Sequence, residues 1–388
     1  MEIKGVCSLV LPYHWLAKRG RLSRFMSAGE ADLSATISYH LRLLKAPLPG
    51  SYTSLVLPPE YSMSQTDNVS RIGLTELYSR EQCLLASKRS FRLLALSNSR
   101  SEDGFIECSL QSYELADDQH PQYTALSYMW GDSRRCVPIV LNGVKFYITS
   151  SLLEALEHLK DIQQRHPDMC GRWWIDMLCI NQDDDRERGH QVSNMRDIFQ
   201  HANLVVAWLG PEADGSRDLM QGLNNRLPSE TFDRQLHQTR AFLSRPYWSR
   251  LWIVQEICVA RDVLFACGTE TAPWASLRDQ LQGTNSTIGM KMGSFFSNTI
   301  GRLSVLDFRL LIPFNLVDLR EKSQSRGMSL GSILTFTSQS ASTDPRDKVF
   351  AILGLANHGA GNEIVPDYTL SSCSVIAQQF ALFTKMVA

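Results

Sequence analysis

The sequence predicts an α/β protein: an open, mostly parallel, doubly wound sheet with added β-hairpins, followed by a mainly helical C-terminal part. Three observations predict it. Short runs at 174–180, 204–209 and 262–266 are almost wholly apolar, as strands covered on both faces should be. Amphipathic segments of helical period lie between them, giving the order β-α-β-α-β. The joins at 181–188 and 203 are short, so the strands should be parallel, with right-handed crossovers. The chain divides into an N-terminal extension over 1–85, the sheet domain over 86–275 and a helical region over 276–388.

Composition permits this and excludes other classes. Apolar residues make up 44% of the 388 positions and charged residues 20%, enough for a large core. The net charge of −1 gives no global attraction to nucleic acid or an anionic membrane. No apolar run reaches the roughly 18 residues that a membrane helix needs. The N-terminus has an acidic Glu2 and lacks a signal-peptide pattern. The nine cysteines include no CxxC pair and several lie in apolar runs, which points to reduced thiols in an intracellular, cytoplasmic protein without a zinc site.

Residues 1–70 carry little pattern beyond a basic cluster, a helical segment at 31–44 and a Pro/Ser/Tyr-rich stretch at 46–70. Apolar runs at 91–96 and 105–110 flank a turn-type cluster and predict a hairpin at the sheet edge. A strand follows at 123–128. Two more, at 138–141 and 145–148, flank Asn142-Gly143, whose tolerance of positive φ marks a type I′ turn. Thr149 or Ser150 caps a helix over 151–160 with Leu152, Leu153, Leu156 and Leu159 on one face.

The strand at 174–180 contains one carboxylate, Asp176. The helix at 191–202 carries Val192, Met195, Ile198 and Phe199, and the strand at 204–209 completes a βαβ unit. Residues 211–244 read as an insertion with one helix at 230–243. Residues 245–260 read as one helix with Pro246 in its first turn. Beyond 274 the pattern predicts helices at 276–283, at 300–319 broken by Pro313, and at 375–387. It also predicts one capped by Asp344 with Val349, Phe350 and Leu353 buried.

In an open α/β sheet, ligands bind beyond the carboxyl ends of the strands. Three strands end there in polar clusters: Trp130, Gly131, Asp132, Arg134 and Arg135; Asn181, Gln182 and Asp183; Gly210 and Pro211. Each reads equally as an ordinary strand-to-helix loop. Trp248, Trp252 and Glu256 recur every four residues, so one helical stripe would hold a carboxylate beside two tryptophans. Desolvation there raises a carboxyl pKa unless Arg245 or Arg250 pairs with it; an ion pair at a helix surface is the competing reading. Asp176 reads as a structural carboxylate holding a loop or Arg134/Arg135. Trp248 is likewise assigned to structure. Asp183, Asp184 and Asp185 are consecutive and lack metal-site spacing, so no metal is expected. Nucleotide-loop, nucleophile-elbow and zinc-protease motifs are absent from the sequence.

Three stretches, YTALSYMWGD, RWWIDMLCINQDDDRERGHQVSNMRDIFQHANLVVAWLG and RPYWSRLWIVQEICVARDVLFACG, resemble the three blocks of the fungal heterokaryon-incompatibility (HET) domain. STDPRDKVFAILGLA resembles a block that often follows it. HET domains are thought to be distant relatives of TIR domains, so the resemblance implies a flavodoxin- or TIR-like winding. LWIVQEI matches the TIR W-x-x-x-E pattern with Trp252 and Glu256. The resemblance implies a non-self-recognition and cell-death effector that self-associates, with an incompatibility partner that the sequence does not name. It also implies that Glu256 is the catalytic residue for cleaving the nicotinamide–ribose bond of NAD⁺, with NAD⁺ as substrate and no cofactor. Trp130 or Trp252 would stack on a ring and Arg134/Arg135 would meet the pyrophosphate. A non-enzymatic assembly module is the alternative. Family members often continue beyond a length such as this one.

Overall fold

The computed structural model describes Tyr78, residues 89–282 except 116–119, 133, 168 and 226–231, and residues 312–387 except 326–327, 329, 338–339 and 357–363. The readings for 1–70 lie outside the described residues.

Nine strands form one mixed sheet in the order β5-β4-β2-β1-β6-β3-β7-β8-β9. They are β1 (Ser90–Arg100), β2 (Ile106–Glu114), β3 (Thr124–Tyr128), β4 (Val137–Leu141), β5 (Val144–Ile148), β6 (Arg172–Trp174), β7 (Leu204–Trp208), β8 (Val263–Cys267) and β9 (Glu270–Pro273). The centre, β6-β3-β7-β8, is parallel throughout. Its members β3, β7 and β8 are buried almost end to end, the reason their sequences are nearly continuous apolar runs. β6 and β7 both run parallel to β3 and flank it, so the predicted βαβ strands are parallel but not adjacent.

The hairpin β1-β2 forms as expected but does not lie at the edge. β4 adds to β2 in parallel and β1 adds to β6, so a second hairpin covers the side that the sequence left open. That second hairpin, β4-β5, turns through Asn142 at φ 50° and Gly143 at φ 78°, as the Asn-Gly pair predicts.

Among the helices, α1 (Ser150–Arg165) starts at Thr149, whose hydroxyl accepts from Leu152 N at 3.3 Å. The predicted strand at 174–180 is a correction. Only Arg172–Trp174 is strand, and a one-turn helix, α2 (Asp176–Cys179), follows. Asp176 accepts from Met177 N at 2.7 Å, so its side chain competes for the backbone and ends the strand. The next helix, α3 (Asp185–His201), begins earlier than its apolar period indicates, because Asp184 caps it through Arg186 N and Glu187 N.

The 211–244 insertion holds two helices, α4 (Ser216–Asn225) and α5 (Phe232–Leu243), rather than one. The single helix expected over 245–260 is also corrected. A 3-10 turn (Pro246–Ser249) is followed by Arg250 at φ −69°, ψ 135°, and only then by α6 (Ile253–Cys258). Beyond β9 come α7 (Trp274–Gln282), α8 (Ile312–Ser325), α9 (Leu330–Thr337), α10 (Asp347–Leu353) and α11 (Ser372–Val387). Pro313 opens α8 instead of breaking it; residues 300–311 lie outside the described residues. Asp344 accepts from Arg346 N at 2.9 Å, one turn ahead of α10. Val349 and Phe350 are buried and Leu353 partly so.

Candidate functional site

The polar centre of the molecule lies where β3 ends. Ser127 is the one serine of that apolar strand, and its side chain meets Tyr247 Oη at 2.7 Å and donates to Glu256 Oε2. Glu256 is 2% exposed. Arg250 Nη1 stands 3.8 Å from Glu256 Oε2 and also donates to the carbonyl of Tyr128, the last residue of β3. The extended backbone at Arg250 allows this, since it turns the guanidinium inward between the 3-10 turn and α6.

Burial pushes the Glu256 carboxyl up to about 6, against the opposing pull of Arg250 and the Ser127 hydrogen bond; Asp176 adds to the rise. Burial works against the charge on Arg250, but Glu256 and Asp176 outweigh it and raise its pKa. Burial also raises the Asp176 carboxyl, with Arg250 opposing. Burial lifts the Tyr247 phenol far above its ordinary value, so it stays protonated as a hydrogen-bonding group. One guanidinium therefore faces two carboxylates that both hold their protons more tightly than usual.

The structure joins some of the sequence candidates and separates others. Trp130 and Asp176 come together: Trp130 Nε1 donates to Asp176 Oδ2 at 3.0 Å, and both are only half-buried. Gln182 donates to the Asp176 carbonyl at 3.0 Å, so it belongs to the same rim. Asp176 pairs with neither Arg134 nor Arg135 by hydrogen bond; its bonds go to Trp130 and Met177 N. Arg134 instead forms an exposed pair with Asp132, in the loop that Gly131 opens at φ 70°. Asn181 is bound within its own loop: its Oδ1 accepts from Asp183 N at 3.2 Å, and its backbone N donates to Glu187 Oε1 at 2.7 Å. That carboxylate forms a buried, two-pronged pair with Arg92 at 2.6 and 3.1 Å, and Arg92 also donates to the Cys179 carbonyl.

The tryptophan stripe is a further correction. Trp248 and Trp252 belong to different elements, because the chain is extended at Arg250. Trp248 is buried and donates to the Phe242 carbonyl at 2.9 Å, a structural role. Trp252 donates to Asp347 Oδ2 at 3.0 Å. Neither indole makes a hydrogen bond to Glu256. Ser127, Tyr247 and Asp347 escaped the sequence reading. The lone serine in YTALSY was the available signal for the first, and nothing local marks the other two.

Fold and site together define an α/β protein with a buried, arginine-braced glutamate at the carboxyl rim of a parallel sheet centre. Residues 123–256 match the family model described as Heterokaryon incompatibility protein (HET), a span that begins just before β3 and ends on Glu256. The chain is similar to heterokaryon incompatibility protein 6, OR allele, of Neurospora crassa, with 29% identity over 381 residues. The match covers 84% of this chain and 55% of that protein. The chain thus spans about half the length of that curated relative. No solved structure matches it. Among the described residues no helix is long and apolar enough to cross a membrane.

Proposed function

We propose that this chain acts in fungal heterokaryon incompatibility as a cytoplasmic, self-associating cell-death effector, and that its domain hydrolyses NAD⁺ at the nicotinamide–ribose bond. The observation that carries the enzymatic reading is Glu256, a buried carboxylate titrating at about 6, placed at the carboxyl end of β3. The winding of the parallel centre supports it. Numbered along the chain, β3, β6, β7 and β8 stand in the spatial order 2-1-3-4, as in flavodoxin-like sheets. Ligands of such sheets sit between the first and third strands, here β3 and β7.

The chemistry suits one carboxylate. The C1′–N bond breaks with its electron pair moving to the cationic nicotinamide nitrogen, which leaves neutral. Positive charge develops on the ribose, and ionised Glu256 stabilises it. Water then adds at C1′ and loses a proton. Trp130 stacks on the nicotinamide, and Asp132, Arg134 and Arg135 line the way to the pyrophosphate. NAD⁺ is the substrate and no cofactor enters. The test is cellular NAD⁺ on expression of the wild type, Glu256→Gln and Glu256→Ala. Loss with the wild type alone supports the reaction; equal depletion by all three, or by none, overturns it.

A second reading is favoured by the same carboxylate. Its oxygen already accepts from Ser127, faces Arg250 and has a side chain only 3% exposed. On that reading the network is a structural brace and the domain is a non-enzymatic assembly module. Killing then survives Glu256→Ala and is lost when surface contacts between copies are changed.

A further inference from the structure

Glu256 lies on a helix of six residues, too short to hold itself in place. Its N-terminal side is tied to a segment more than eighty residues downstream. Leu251 N donates to the Ala341 carbonyl at 2.9 Å, and Ala341 N donates to the Ser249 carbonyl at 2.6 Å. The residue between them is Arg250, the guanidinium facing Glu256, and it forms an isolated parallel bridge with Ala341.

One turn further on, Trp252 caps no backbone group; its indole N–H goes to Asp347 Oδ2. Asp347 Oδ1 accepts from Tyr368 Oη at 2.7 Å. The Tyr368 ring in turn lies under the Arg188 guanidinium, 3.8 Å from its centroid, so the chain of contacts returns to α3. Arg346 adds hydrogen bonds to the carbonyls of Tyr368 and Leu370. The contacts of Ser249, Leu251, Trp252 and Arg188 thus join α3 and the approach to α6 to residues beyond the matched 123–256, and those of Arg346, Asp347 and Tyr368 tie these residues to one another.

We infer that Asp347 is a positioning residue for Glu256: with Ala341 and Tyr368 it makes residues 340–356 and 364–370 a clasp that sets the angle of α6 and completes the site. Asp347 touches no reacting atom in this scheme; it acts through Trp252 and the first turn of α6. The inference rests on the reading of Glu256 as the functional carboxylate, but its physical content is the placement of that side chain. If the clasp lets go, α6 swings off β3. Glu256 then leaves Ser127, Tyr247, Arg250 and Asp176 for water, and its pKa drops from about 6 toward the ordinary 4.5.

The experiment uses the full chain and reads that placement directly. Amide hydrogen exchange of Ile253–Cys258 is compared in the wild type, Asp347→Asn and Trp252→Phe, with Leu204–Trp208 as the internal reference. In each background the Glu256→Gln partner locates the pH at which the glutamate titrates. The clasp predicts exchange in α6 about tenfold faster or more, the loss of one hydrogen bond to a charged group, with β7 unchanged. It also predicts a titration displaced toward 4.5. Unchanged exchange overturns the inference, as does faster exchange with the titration unmoved, which would make Asp347 a brace for Trp252 alone. Should Asp347→Asn unfold the whole sheet, Trp252→Phe, which keeps an aromatic ring but has no indole N–H, decides by the same two readings. Should the wild type leave NAD⁺ intact, the proposed reaction fails while exchange and titration still decide the clasp.

Discussion

Glu256 is pulled both ways by its surroundings. Burial and Asp176 favour its neutral form, whereas Arg250 and the Ser127 hydroxyl favour the anion, and the balance leaves it at about 6 against an ordinary 4.5. The folded state therefore holds this proton more tightly than the unfolded chain. Between about pH 4.5 and 6 the native form carries more protons, so the group's contribution is complete below 4.5 and is lost as pH rises through 6. The move from 4.5 to about 6 corresponds to about 2 kcal/mol. Denaturant unfolding of the wild type minus that of Glu256→Gln should fall by about this amount across the window. A difference that rises with pH would mean that Arg250 outweighs burial. Ser127→Ala makes the complementary case. It removes a donor to the anion, so the Glu256 titration should move above 6, with a loss of about 1–3 kcal/mol at pH 7 for the stranded carboxylate.

At the scale of elements, what the sequence showed and what it hid follow from how local the cause is. Asn142-Gly143 and Thr149 act on backbone within three residues, and both stand where they were read. The four-residue spacing of Trp248, Trp252 and Glu256 is also local, yet one helix did not follow from it. Arg250 is drawn out of helical conformation by Glu256, by the Tyr128 carbonyl and by the bridge to Ala341, and the last two partners are remote in sequence. The same holds for 174–180, where apolar character indicated burial correctly but could not distinguish a strand from one helical turn inside the core. Glu187 is a third example. It falls in the short join at 181–188, yet it is buried against Arg92 from β1, ninety-five positions away. That pair ties the loop of Asn181 and Gln182 to the sheet. Arg92→Leu leaves Glu187 buried and unpaired and should cost about 3–5 kcal/mol in equilibrium unfolding, whereas Arg92→Leu with Glu187→Leu should recover most of it. If the double variant is as unstable as the single, the pair contributes shape rather than charge balance.

The whole molecule is organised by return of the chain. The sheet centre and the 3-10 turn hold Glu256 from below, and residues beyond 340 come back to hold its helix from the side. Two glycines record how closely the returning backbone approaches. A Cβ on Gly354 would stand 2.5 Å from Gln255 Oε1, an atom at the end of a side chain that can move. A Cβ on Gly189, in the second turn of α3, would stand 2.6 Å from the Pro366 carbonyl oxygen, which cannot move without its backbone. Helix propensity alone makes Gly189→Ala stabilising by about 1 kcal/mol. The clash has the opposite sign and displaces the residues that place Tyr368 under Arg188 and against Asp347. Steric overlap with backbone costs more than propensity returns, so Gly189→Ala should lower the unfolding midpoint instead of raising it. It should also loosen α6, although it touches neither Trp252 nor Glu256, and exchange of Ile253–Cys258 should quicken alongside the fall in stability. A rise in midpoint with α6 still protected would mean that residues 364–370 yield without pulling on Asp347, and that the two ends of the clasp are held independently.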